Sequence, residues 1–347
     1  MARSPCFAWL SAVAGMLVVS TLSQSSEAAS FACDRPAGAR ERLICGDGAL
    51  SRADARLAAS FRAALGALSD AGRTALRQSE REWLRFTDTV CSIDRLRGTD
   101  AQRLDTSLGC LKTEYAARQR QLDAAVTRRN DLVIRRVDIF KAVPSSDAGS
   151  GGAHAGFSST MIAFPQIDRP GDPHEIRWNE RVAKWAEGET GGSNDTGHDV
   201  VIDYTLGLVT PELISLMRYT YDDWHGAHGS ADDKGITWLI REERELRPED
   251  VFDPHSDWAP ALARLVFERA RREERREHRP FRVPPASELE AAVSEPSHWV
   301  LGERDLRIRF DPRDLGYNDP DIIDVKVPWR ALSPYLARTA LVAGFAK

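Results

Sequence analysis

The stretch Leu76-Arg77-Gln78-Ser79-Glu80-Arg81-Glu82-Trp83-Leu84-Arg85-Phe86-Thr87-Asp88-Thr89-Val90-Cys91 sets Leu76, Trp83, Phe86 and Val90 at helical spacing and stops on a cysteine. It predicts an amphipathic helix that starts near Ser69, ends at Cys91 and turns one apolar stripe toward a core. Upstream, Leu50, Leu57, Phe61, Leu65 and Leu68 form a second stripe, and Ser51 followed by Asp54 reads as its N-cap. Downstream, Leu104, Leu108, Leu111, Tyr115, Leu122 and Val126 predict a third helix from about Asp100 to Arg129. Three such helices make a small bundle.

Cys33, Cys45, Cys91 and Cys110 all fall in this region, and no cysteine follows them. They permit three pairings, and spacing alone does not choose, although Cys33–Cys45 with Cys91–Cys110 would close two short local loops. A metal site is the rival. No pair has the C-x-x-C spacing and residues 29–130 contain no histidine, which favours disulfides. The first thirty residues explain how thiols would oxidise. Arg3 precedes an apolar run from Phe7 to Leu22, then Ser26-Glu27-Ala28-Ala29-Ser30, the pattern of an export signal cleaved near Ala29. Cys6 would leave with it. No later segment is apolar for long enough to span a bilayer.

The charge divides by region. Residues 30–130 carry 18 Lys/Arg against 13 Asp/Glu, whereas 131–347 carry 28 against 38, a net of -10. An acidic field of that size attracts cationic partners and repels nucleic acid phosphates. The change of pattern after Asn130 marks a domain boundary, giving a signal peptide at 1–28, a helical module at 29–130 and a second domain at 131–347. Leu132-Val133-Ile134 and Val137-Asp138-Ile139-Phe140 have extended character, and the Ser/Gly-rich stretch from Pro144 to Gly156 reads as a flexible linker. A short helix is expected from Glu175 to Trp185, with Ile176, Val182 and Trp185 on one side. Strands are expected at Val200–Val209, Leu213–Tyr221 and Ile236–Ile240, and their short connections imply an antiparallel sheet. A charged helix from Asp257 to His278, strands at Leu306–Phe310 and Ile322–Val327, and a closing helix near Trp329 complete the pattern. The fold class is therefore α+β: a disulfide-stapled three-helix module followed by an α+β domain with an antiparallel sheet.

The densest polar and aromatic cluster is Tyr219, Tyr221, Asp222, Asp223, Trp224, His225 and His228. His225-x-x-His228 beside carboxylates has the composition of a zinc site, but Gly226 and Gly229 force a turn, so nothing in the spacing makes the ligands converge. Aromatic anchors flanked by carboxylates suit recognition of a cationic protein instead. Motifs for nucleophilic hydrolysis, nucleotide binding and metalloproteolysis are absent, and neither an enzyme nor a cofactor is expected.

Two resemblances sharpen this. Phe31-Ala32-Cys33 to Ile44-Cys45, Leu50 through Phe61, Ser79 through Leu84, Cys91, and Cys110-Leu111 to Tyr115-Ala116-Ala117-Arg118 resemble the family of the N-terminal domain of LprI, the lysozyme inhibitor, over about residues 31–125. Phe164-Pro165-Gln166-Ile167, Tyr219 to His228, Leu246 through Phe252, Leu306 to Phe310 and Val325-Lys326-Val327-Pro328 are similar to the C-terminal domain of RsiV, a lysozyme-sensing anti-sigma factor, over about 160–337. That domain also occurs beside peptidoglycan deacetylases. The chain departs from it by placing Trp224-His225 where a glycine-containing turn is usual, and by lacking the transmembrane and cytoplasmic portions of an anti-sigma factor. Together the resemblances imply an exported, periplasmic or secreted, non-enzymatic binding protein whose partner is lysozyme or another cationic protein. The alternative is a peptidoglycan-associated or carbohydrate-binding protein that stacks Trp83, Trp224 and Trp238 on sugars.

Overall fold

A computed structural model describes residues 29–96, 101–145, 156–191, 198–224, 229–277, 283–315, 322–342 and 344; the expected signal segment and residues 146–155 of the expected linker lie outside these. Helix α1 (Ala39–Gly46) leads into α2 (Gly48–Ala67), α3 (Asp70–Val90) and α4 (Ala101–Asp123). The expected start of α3 is present, with the Ser69 hydroxyl accepting from Gly72 N. The cap of α2 is not Ser51. Asp47, extended just ahead of the helix, accepts from Ala49 N and Leu50 N, while Asp54 turns inward and accepts from Ser30 N at 2.7 Å.

Disulfides Cys33–Cys45 and Cys91–Cys110 close the two local loops, tying the lead segment to α1 and the end of α3 to α4. In the chain-entropy account each closure is worth about 3 kcal/mol. Between the helices Trp83 packs edge-on against Tyr115, with ring centroids 5.1 Å apart, over Leu50, Leu76, Phe86 and Leu111. Burial pushes the Tyr115 hydroxyl up to about 12.

The third helix ends earlier than its periodicity suggests. Val126–Arg129 form strand β1, paired antiparallel with β2 (Leu132–Pro144) across the two-residue Asn130-Asp131 turn. Asn130 takes φ 48°, a conformation asparagine tolerates, and its side chain donates to Val209 O. The sheet continues through β3 (Phe157–Ile167), β4 (Asp199–Val209), β5 (Leu213–Asp223), β6 (Ser230–Leu239) and β7 (Arg244–Glu245), in that spatial order. All neighbours are antiparallel except β3 and β4, which pair in parallel through Thr160↔Val200 to Ile162↔Ile202. A parallel pair requires a crossover, and α5 (Pro173–Gly191) supplies it. The apolar stripe of α5 is Trp178, Val182 and Ala186, and Ile176, expected inside, is 45 % exposed because it falls off that stripe.

A second layer comprises α6 (Trp258–Glu277), α7 (Ala286–Ser294), the three-stranded sheet β8 (Trp299–Leu301), β9 (Asp305–Phe310) and β10 (Ile323–Pro328), and α8 (Trp329–Leu332). β8 crosses the large sheet at backbone distance. A Cβ on Gly235 would collide with the Trp299 backbone and one on Gly207 with Leu301 O, and Leu301 N donates to Ser215 Oγ at 2.9 Å. Small residues on β4, β5 and β6 thus dock the C-terminal layer.

Candidate functional site

The β5–β6 hairpin holds the clustered aromatic and acidic residues. Register pairs Asp223 with Asp199 of β4, and Asp222 with both Val200 and Ser230, so the carboxylates gather at one end of the sheet. Trp224 leaves that end 63 % exposed and stacks on His198, with ring centroids 4.1 Å apart and planes 13° from parallel. Tyr221 is 41 % exposed and donates its hydroxyl to Asp223 Oδ2 at 3.3 Å. Partial desolvation and the Asp223 charge raise that phenol above its ordinary value. Gly229 gives the ring its place, since a Cβ there would strike it.

The carboxylates at this end do different work. Asp199 accepts from Ser159 N and Ser159 Oγ, both at 2.7 Å, and Asp233 binds Arg309. Asp232 is exposed and meets Arg218 only at 3.5 Å. Asp222 has no ion pair among the described residues. Tyr219 belongs to a different neighbourhood: the Arg309 guanidinium lies 5.7 Å from its ring, and its hydroxyl is 3.4 Å from Thr205 Oγ1. Thus Tyr221, Asp222, Asp223 and Trp224 share the tip, Tyr219 sits inside the sheet's junction with β9, and His225 and His228 lie outside the described residues. His198 is the residue the sequence did not flag. Only the β4–β5 pairing brings it beside Trp224, and no local motif announces that.

Of the other tryptophans weighed for sugar stacking, Trp83 is 1 % exposed and is core, and Trp238 is buried against α5 beside Trp178. Neither presents a free face at this surface.

The architecture rests on a helical region closed by two disulfides, with the four cysteines spread from the segment ahead of α1 to α4. Residues 33–122 match the family model of the lysozyme inhibitor LprI. The LprI match thus covers both disulfides, α1 to α3 and α4 up to its penultimate residue, and it ends before β1. No curated protein matches the chain. Among solved structures, a DUF3298 family protein from Pseudomonas aeruginosa PAO1 is 16 % identical, covering 60 % of this chain and 96 % of its own, with a TM-score of 0.40. A DUF3298 family member from Bacteroides fragilis NCTC 9343 is 12 % identical, covering 63 % of this chain and 99 % of its own, with a TM-score of 0.42.

Proposed function

We propose that this chain is an exported, non-enzymatic binding protein of the periplasm or extracellular space that captures or inhibits lysozyme. The LprI match over residues 33–122 is the observation that carries this reading. Two disulfides fit an oxidising compartment, and among the described residues no helix is long and apolar enough to cross a membrane. The reading of residues 160–337 as an RsiV-like domain belongs to the same proposal and rests on the sequence resemblance.

The capture surface we assign is the tip formed by Tyr221, Asp222, Asp223 and Trp224; His225 and His228 belong to the same proposal by sequence and lie outside the described residues. The half-buried Asp222 and Asp223 carboxylates there speed encounter with a cationic protein, and the exposed Tyr221 and Trp224 rings supply contact area that sets the lifetime. Titration of the purified full chain against lysozyme at two ionic strengths tests it. Binding should weaken at high salt, and turnover of the lysozyme should fall. No heat of mixing with unchanged turnover in dilute buffer would sink the reading. The exposed face of Trp224 also suits stacking on peptidoglycan sugars, and sedimentation with insoluble peptidoglycan tests that alternative.

A further inference from the structure

Between α5 and the face of the large sheet lies a cavity of about 470 Å³, well inside the range of roughly 300–1,000 Å³ typical of small-molecule sites. Its walls are aromatic, with Trp178, Trp185, Tyr204 and Trp238 among them. Its charge is opposite to that of its surroundings. Residues 131–347 are net acidic, yet Arg181, Lys184 and Arg218 line the cavity against one carboxylate, Glu245.

The two guanidinium groups are only loosely engaged. Arg181 lies 4.1 Å over the Trp238 ring and meets Glu245 at 3.8 Å; Arg218 lies 5.7 Å from the Trp185 ring and meets exposed Asp232 at 3.5 Å. Arg218 Nε has no hydrogen-bond partner among the described residues, and neither does Trp178 Nε1 in the same wall. Buried donors left unpaired cost free energy, and an acceptor brought by a ligand relieves that cost. The chemistry of the wall narrows the ligand. A sugar buried here would need a partner for each hydroxyl, which a mainly apolar wall does not offer. An apolar body with a single anionic head satisfies both the rings and the cations.

We propose that this cavity binds a free amphiphilic monocarboxylate, its apolar body against the indoles and its carboxylate at Arg218, whose Nε lacks a partner among the described residues. The proposal does not rest on lysozyme as the partner. Calorimetric titration of the full chain with decanoate, decan-1-ol and N-acetylglucosamine tests the assignment. Decanoate should bind saturably, with decan-1-ol at least tenfold weaker and no saturable binding of the sugar. Arg218→Gln should weaken decanoate tenfold or more, whereas Arg181→Gln, whose guanidinium faces Glu245 beside Trp238, should weaken it less than threefold. Absent decanoate binding, equal affinity for the alcohol, saturable sugar binding in its place, or unchanged affinity in Arg218→Gln would each overturn it.

Discussion

Arg118 Nη1 of α4 lies 2.9 Å from Asp138 Oδ2 of β2, with the arginine side chain 0 % and the aspartate 6 % exposed. The pair belongs to a chain of ions that joins the helical half to the sheet. Arg118 Nε also donates to Glu80 of α3, and Asp138 accepts from Arg136, which reaches Asp203 on β4. Phe140 lies beside this network, 5.1 Å from the Arg118 guanidinium and 5.8 Å from Phe86. Removing one member of a buried ion pair strands the others, which typically costs about 3–5 kcal/mol. Arg118→Ala should therefore destabilise the chain by about that much in urea unfolding. A loss under about 1 kcal/mol would show the two halves do not depend on this junction.

The disulfides make a second prediction. Replacing Cys91 and Cys110 with Ala releases the end of α3 from α4 and should cost about 3 kcal/mol on the chain-entropy account. The expected signature is a lower unfolding midpoint in the variant, and a larger drop when reductant, which opens both disulfides, is added to the native protein. A variant as stable as the native chain in oxidising buffer would refute the stapling role.

A third prediction concerns acid. Desolvation pushes the Asp324 carboxyl up, but bonds from Arg307 Nε at 2.6 Å and Arg309 Nη1 at 2.7 Å outweigh it and hold the group below its ordinary value. Asp250 is lowered the same way by Arg244 at 2.7 and 2.8 Å. Groups depressed in the folded state contribute stability above their unfolded value, near 3.9, and lose it as pH falls through the folded one. Glu80 acts oppositely: burial raises it, so its protonation favours the folded chain as pH drops. Stability measured by urea unfolding should fall below about pH 4, and Asp324→Asn should make that decline shallower. An identical slope in the variant would remove Asp324 from the account.

The helices were legible where packing and local chemistry agree. Trp83, Phe86 and Val90 fall on one stripe that the α3 core uses, and Ser69 caps it. Val126 continued the stripe of α4 equally well, yet its pairing with Arg135 in the sheet prevailed, a tertiary contact that periodicity cannot see. Strand β3 was missed because Phe157–Ile167 is buried on both faces and lacks alternation, and because its parallel partner is reached only through α5. The hairpin tip was legible as composition in Tyr221 to Trp224. His198 under the indole and the cavity behind Trp238 depend on contacts between distant strands and a helix, so no window of sequence contains them.

The final prediction separates binding from folding at the tip. Trp224 is mostly exposed and stacks on the His198 ring. Trp224→Ala should therefore change unfolding free energy by less than about 1 kcal/mol, whereas loss of an interface aromatic anchor commonly costs at least ~2 kcal/mol of binding. Lysozyme affinity should drop more than tenfold, mainly through faster dissociation. The paired change Asp222→Lys with Asp223→Lys should act on the other rate, slowing association at low salt and much less at high salt, because charge steering is screened over about 8–10 Å. Stopped-flow association and surface-immobilised dissociation distinguish the two. If both variants bind lysozyme with native rates while the native chain still inhibits it, the interface lies elsewhere, and the LprI-like helices become the surface to mutate next.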